Sequence, residues 1–336
     1  MDIEPRTNVN RPRGGRYASF FGSGGYFQSS ASYTGPFGGL SYSGWGNNAT
    51  AFLLGQEMPE IFFAMHARQD TGSASESPRI TFNGAGGDVI EVRIDVNGGT
   101  LNIYRDGSLI VTNQDISSLG LALDTWMWVS GYLRVDGANS ALVLRVNDDE
   151  IYNAAFTTAR AAPDRIALSQ VSSFGSPPFY KNLIVHDGHG AAPFDGILAN
   201  EGYDVRVIRP NATILSGWTS STGSGQYEVI DDQYADSAAD YLYVLDGVGE
   251  SRVGFETFDP TGRDVLAVQP VLAGYVSPQG AAGTKARMTL HFDSIETGED
   301  FEFTNTSNNL SMDSFAAYEV FHDLLDGRDA VPEGEL

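Results

Sequence analysis

Hydrophobic and polar positions alternate with a period of two along much of this chain. Val92, Ile94 and Val96 alternate with Arg93, Asp95 and Asn97, which predicts a strand with one side on a core and the other in water. Leu101 and Ile103, then Asp106-Gly107, then Leu109 and Val111 predict strand, tight turn and strand, because glycine supplies the positive φ that such a turn needs. The run Trp126 to Val135 reads as a long strand, interrupted at Gly131 by a bulge or a close approach. Leu142, Leu144 and Val146 alternate again, followed by a turn at Asn147-Asp148-Asp149 and a strand through Ile151 and Tyr152. Short antiparallel strands turned about every 8 to 12 residues point to a sandwich, so the fold class is all-β.

The same period returns later. Ala286, Met288, Leu290 and Phe292 alternate with Lys285, Arg287, Thr289 and His291, a half-buried strand. Phe301 and Phe303 continue the period, with Gly298 expected in the intervening turn. Before residue 50 the pattern is different. Tyr17, Phe20, Phe21, Tyr26, Phe27, Tyr33, Phe37, Tyr42 and Trp45 are too many large rings for a pure linker, so short strands and glycine turns are expected from residue 17. Residues 1–16 read either as an arm onto a neighbouring subunit or as a flexible tail. The organisation expected is an arm at 1–16, a sandwich at 17–190, a linker at 191–202 and a second, smaller β-sandwich at 203–336.

Composition narrows the functional classes. The 336 residues suffice for two domains without covalent staples, and the absence of cysteine removes disulfides and thiol catalysis. Forty-three acidic against 20 basic residues give a formal charge of −23, a surface sign that repels nucleic acid and anionic lipid and favours solubility and cation binding. No apolar stretch approaches the roughly 20 residues that cross a bilayer, so no membrane insertion is expected. Nor does the N-terminus carry a signal-peptide core, which leaves export by the general secretory route unsupported.

Val92 to Val96, Asn102 to Gly107, Trp126 to Val129, Leu142 to Asn147 and Phe179 to Val185 stand in an order that resembles a concanavalin A-like, laminin-G-like jelly roll. The resemblance covers roughly residues 17 to 190 and implies that the last of these segments closes the sandwich beside the N-terminal strand. Val207 to Asn211, Ser216 to Gly223, Tyr227 to Asp232 and Val268 to Val276 resemble a segment common in structural proteins of tailed bacteriophages, where it follows a lectin-like module. Lys181-Asn182 departs from that pattern, standing where adjacent acids are usual, and the C-terminus lacks the usual Asp-Pro-x-Thr-Gly turn. The segment 315–325 fits either a helical stripe or a strand, and the family comparison favours a strand to about Phe321.

The resemblance implies a non-enzymatic virion protein, a tail fibre, tail-tip or surface appendage that associates with itself and with other virion proteins. Short strands leave edges that need cover, in keeping with self-association. The basic patch Arg11, Arg13 and Arg16 is then a docking arm for an acidic neighbour. The alternative is a protein that binds host-surface polysaccharide, and a third reading is a polysaccharide-degrading enzyme.

Candidate chemistry is sparse. His186 and His189 with Asp187 and Asp195 are close enough in sequence to gather a metal, but a solvated turn is the plainer reading. His66, His291 and His322 complete the histidines. Calcium is the cofactor the acidic pairs would suit, at Asp148 to Glu150, Asp231-Asp232 or Asp204, though none shows the periodicity of a calcium loop. Glu91 and Asp95 share one strand face and are the acidic pair a glycosidase would use, without a partner strand to complete it. Gly22-Ser23-Gly24 lacks a nucleophile elbow and the N-terminal glycines lack a phosphate loop, so no catalytic residue is assigned. Among aromatics, Trp45 is the leading candidate for stacking on a sugar. Trp126, Trp128 and Tyr132 share a parity expected of core, and Trp218 is expected to wedge under its own loop.

Overall fold

The computed structural model describes residues 18–21, 42–43, 50–54, 57–70, 76–170, 178–188, 194–200, 202–203, 210–223, 225, 242–243, 250–255, 271–272, 285–292, 295–302 and 317–318. Trp45, His189, His322, Arg11, Arg13 and Arg16 lie outside the described residues. The chain divides into two compact units, 1–205 and 206–336.

The first unit contains thirteen strands among its described residues: β1 (Ala18–Phe21), β2 (Tyr42–Ser43), β3 (Thr50–Leu53), β4 (Glu60–Arg68), β5 (Pro78–Gly84), β6 (Gly87–Asp95), β7 (Thr100–Arg105), β8 (Ser108–Asp115), β9 (Met127–Arg134), β10 (Ser140–Val146), β11 (Asp149–Phe156), β12 (Pro163–Gln170) and β13 (Phe179–His186). They form two antiparallel sheets. One runs β1-β13-β4-β9-β10-β11, with β2 also on β13, and the other runs β3-β12-β5-β6-β7-β8. β13 closes the first sheet against both β1 and β4, as the jelly-roll resemblance implies. The unit is an all-β sandwich.

Turn chemistry explains the local connections. Asp106 and Gly107 have φ of 49° and 76°, the mirror-image turn that matches strand twist, and Asn147-Asp148 makes the same kind of turn at 49° and 71° between β10 and β11. Asn and Asp tolerate this left-handed geometry better than other side chains. Gly131 in β9 marks a close approach, since a Cβ there would run into the carbonyl of Val143 and the ring of Phe63. The core lies between the sheets. Ile61, Phe63, Met65, Val129, Leu133, Leu142 and Leu144 from the first sheet face Ile80, Phe82, Ile90, Val92, Ile94, Leu101 and Ile103 from the second. Each fully buried side chain of this size contributes roughly 1.5–3 kcal/mol.

Tyr180 joins the layers. It points inward from β13, fully buried, and its hydroxyl accepts the Arg79 N–H at 2.8 Å and donates to the Ser169 carbonyl at 2.5 Å. Burial pushes its phenol well above the ordinary tyrosine value.

The described residues of the second unit form four two-stranded antiparallel ladders: β14 (Pro210–Ser216) with β17 (Ser251–Phe255), β15 (Thr219–Ser220) with β16 (Leu242–Tyr243), β18 (Val271–Leu272) with β21 (Ala317–Tyr318), and β19 (Lys285–Phe292) with β20 (Ile295–Glu302). Gly298 is not in the turn expected for it. It lies inside β20 opposite Thr289, because the chain reverses between Phe292 and Ile295 and the β-branched Ile295 and Thr297 already extend the returning strand.

Candidate functional site

Each sheet of the first unit has an outer face, and the two differ in how they meet their surroundings. On the β13-β4-β9 side the outward positions include Phe62, His66 and Arg68 of β4, Lys181 and His186 of β13, and Trp128 of β9. Trp128 shares parity with Tyr132 as expected, but this stripe faces away from the sandwich core, which takes Met127, Val129 and Leu133 instead. The cover comes from the segment after β13. Phe194 and Leu198 are each 2% exposed, although a linker was expected there.

Five contacts fasten that segment. Trp128 donates its indole N–H to the Leu198 carbonyl at 3.2 Å and stacks on Tyr203 with ring centroids 5.8 Å apart. Asn182 donates its side-chain N–H to the Tyr203 carbonyl at 3.1 Å. The Asn200 N–H reaches the Asp148 carboxylate at 2.8 Å. His186 stacks on Phe62 at 5.2 Å and meets Phe194 edge-on at 5.5 Å, and its Nδ1 accepts the Gly188 N–H at 3.2 Å.

Lys181-Asn182, the departure from the phage pattern, sits at a β-bulge. The register of β13 on β4 shifts between Lys181 and Ile184, and Asn182 takes a φ of 57°. That twist turns the Asn182 amide towards the covering segment and brings it within 3.4 Å of His66 Nδ1. At the rim, Arg68 lies between the rings of Trp126 and Phe179, at 5.4 and 5.0 Å, and pairs with Asp70 and Asp124. Burial raises the Asp70 carboxyl above the usual value despite the opposing pull of Arg68.

The β5-β6-β7 face is different. Arg79 and Arg93 stand directly opposite each other across β5 and β6, and Glu91 is opposite Thr81 on one side and Tyr104 on the other. Glu91 is buried with a side chain only 5% exposed, and both guanidiniums grip it: Arg79 at 2.5 Å, Arg93 through Nε on the other carboxylate oxygen. The Arg93 guanidinium also lies over the Tyr104 ring, 4.1 Å from its centroid. The two arginine side chains remain 30% and 26% exposed, so this cluster opens to solvent. Asp95, the other acid of the expected pair, accepts the Gly98 N–H at 3.1 Å. Glu91 and Asp95 both stand on β6, on one strand rather than on either side of a cleft.

Sequence reasoning marked Glu91 but missed Arg79, Arg93 and Tyr104, which only the register of three strands brings together. Among the described residues no three His, Asp or Glu side chains gather to hold a metal. Asp195 is exposed in the covering segment. In the second unit Trp218 is half-buried, and its backbone N–H is held by Ser251 Oγ at 3.0 Å. Among the described residues no helix is long and apolar enough to cross a membrane.

No protein-family model matches the sequence, and no curated protein matches it. Among solved structures, the galectin LEC-6 of Caenorhabditis elegans is similar at 10% identity with a TM-score of 0.30, covering 43% of this chain and 94% of that one. The carbohydrate-binding module CBM66 of Bacillus subtilis is similar at 10% identity and 0.30, covering 49% and 93%. The Trypanosoma rangeli sialidase is similar at 8% identity and 0.31, covering 44% and 25%. At such identities and scores no residue role or ligand passes from them to this chain. A sandwich serves binding modules and hydrolases alike, so fold does not choose between recognition and catalysis.

Proposed function

We propose that this chain is a non-catalytic recognition component of a tailed-phage-type particle, a surface appendage protein whose first unit binds host polysaccharide. The observation that carries the recognition reading is the state of Glu91. Both of its oxygens are engaged by guanidiniums on a sheet face that opens to solvent, so the acid at the centre of that face acts as a scaffold for two arginines rather than as a proton donor. A glycosidase needs two carboxyl groups roughly 5 to 9 Å apart on either side of a sugar, one free to give a proton. This face offers charged and aromatic groups that hold a ligand without that pair. The placement on a particle is supported by the ordered resemblance of the second unit to phage structural segments.

Immunogold electron microscopy of purified particles tests the placement, with labelling of an appendage expected and absence of the chain from the particle contradicting it. An array of host polysaccharides, probed with the full chain with and without calcium, tests recognition. Selective binding without release of reducing ends is the expected result. Turnover of a bound polysaccharide, lost in an E91A/D95A variant that still folds, would overturn the non-catalytic reading.

A further inference from the structure

We propose that the β5-β6-β7 face selects acidic saccharides, with Arg79 and Arg93 taking a sugar carboxylate beside the ring of Tyr104. This rests on the recognition reading and names its ligand class.

Like charges directly opposite each other on adjacent strands destabilise a sheet, and Arg79 faces Arg93 in register. Glu91 offsets one of these two positive charges. Asp95 stands on the same face of β6, but Glu91 is the one carboxylate that pairs with either arginine among the described residues, so two guanidiniums share a single ion-pair partner. Architecture alone does not need a second arginine there, because one guanidinium satisfies one carboxylate in a fork. A ligand carboxylate does: it completes a two-acid, two-guanidinium arrangement in which each charge meets its opposite. The guanidiniums are also held ready. Arg93 is pinned by Glu91 through Nε and by the Tyr104 ring, so its remaining N–H donors need little ordering when a ligand arrives. A neutral sugar makes no comparable use of paired guanidiniums. The overall acidity of the chain slows encounter with a polyanion, but at physiological salt that repulsion is screened beyond about 8 Å.

Isothermal titration of the full-length chain with oligogalacturonate and with a sialyl oligosaccharide, each against its carboxyl-reduced counterpart, tests the inference. At least one acidic form binds, and reduction of its carboxyl groups weakens binding by about tenfold or more. Arg93→Gln brings the acidic form down by a similar factor. Asn102→Asp provides a second variant. Asn102 lies opposite Arg93 and its Oδ1 accepts the Asn113 N–H at 2.9 Å, so aspartate keeps that acceptor while adding a negative charge beside the arginine. It weakens acidic binding and spares the fold, and it decides the matter if Arg93→Gln fails to fold. Equal affinity for acidic and reduced forms overturns the acidic selectivity and leaves saccharide recognition standing. Unchanged acidic affinity in Asn102→Asp overturns the location. Binding of none of these probes, alongside selective binding to neutral polysaccharides on the array, overturns this inference alone; no binding to any saccharide overturns the recognition reading as well.

Discussion

Trp128 and Tyr104 both point away from the interior of the sandwich, yet Trp128 is 1% exposed beneath the chain's own backbone while Tyr104 is half-exposed beside an arginine. The difference lies in where the chain goes after each sheet is formed. Beyond β13 it turns back across its own sheet, and Phe194, Leu198 and Tyr203 cover the aromatic surface that β4, β9 and β13 create. No described segment does this for β5, β6 and β7. The lesson is that aromatic content does not identify a binding face: the richer of the two aromatic surfaces is a packing interface, and the face proposed for recognition is the one that the described residues leave open.

The largest expected effect breaks the covered side. Trp128→Ala removes a buried ring, a stack and an indole hydrogen bond, and should cost about 3–5 kcal/mol in denaturant unfolding, with faster amide exchange at 194–203. Tyr104→Ala on the open face should cost under about 1 kcal/mol while weakening ligand binding. Equal losses of stability would mean that the faces do not differ as described. Tyr180→Phe tests the tie between the two sheets. The lost hydroxyl strands the Arg79 N–H and the Ser169 carbonyl, and the variant should lose about 1–3 kcal/mol by the same measurement.

Asn182→Gly sharpens the account of the bulge. Glycine accepts the φ of 57°, so the backbone is retained while the side-chain bonds to Tyr203 and His66 are lost. A cost of about 1 kcal/mol is expected, with local exchange at Tyr203 increased and the β5-β6-β7 face unaffected. The smallest effect concerns pH. Burial raises the folded-state carboxyl of Asp70 above its ordinary value of 3.8. The folded state therefore binds this proton more readily than the unfolded chain, so this contribution is fully present below 3.8 and is lost as pH rises through the elevated folded value. Relative to Asp70→Asn, the wild type should gain stability as pH falls through that window, measured by thermal unfolding across pH. A wild type that loses stability relative to the variant over the same range would contradict the direction.

The sandwich was legible where one face of a strand is wet. In β6 and β10 alternation survives because only one side is packed, and Asp106-Gly107 and Asn147-Asp148 announce their turns through residues that accept positive φ. In β13 this signal fails. All eight residues from Phe179 to His186 are buried, including Lys181, Asn182 and His186, since the covering segment packs the outer face and the core packs the inner one. Phe194 and Leu198 were hidden for a related reason: with Ile197 they are three large apolar residues amid glycine, alanine and proline, too short a run to mark an element, and a linker is the natural reading. Glu91 was visible as an acid on a strand. Its meaning depends on Arg79, twelve residues earlier, and on Tyr104, thirteen residues later, and a pairing set by strand register cannot be read from spacing alone. Gly298 misled in the opposite direction, because a glycine between two apolar runs suggests a turn even where the chain continues as strand.

Hydroxyl-radical footprinting of the full-length chain with and without a bound acidic oligosaccharide tests the division between the two faces most directly. Protection should appear on ligand binding at Arg79, Arg93 and Tyr104, while buried Trp128 and Phe194 stay unreactive and half-exposed Tyr203 reacts equally in both states. Ligand-dependent protection or exposure at Trp128 and Tyr203, with no change at Tyr104, would contradict it and make the covered face the site of recognition.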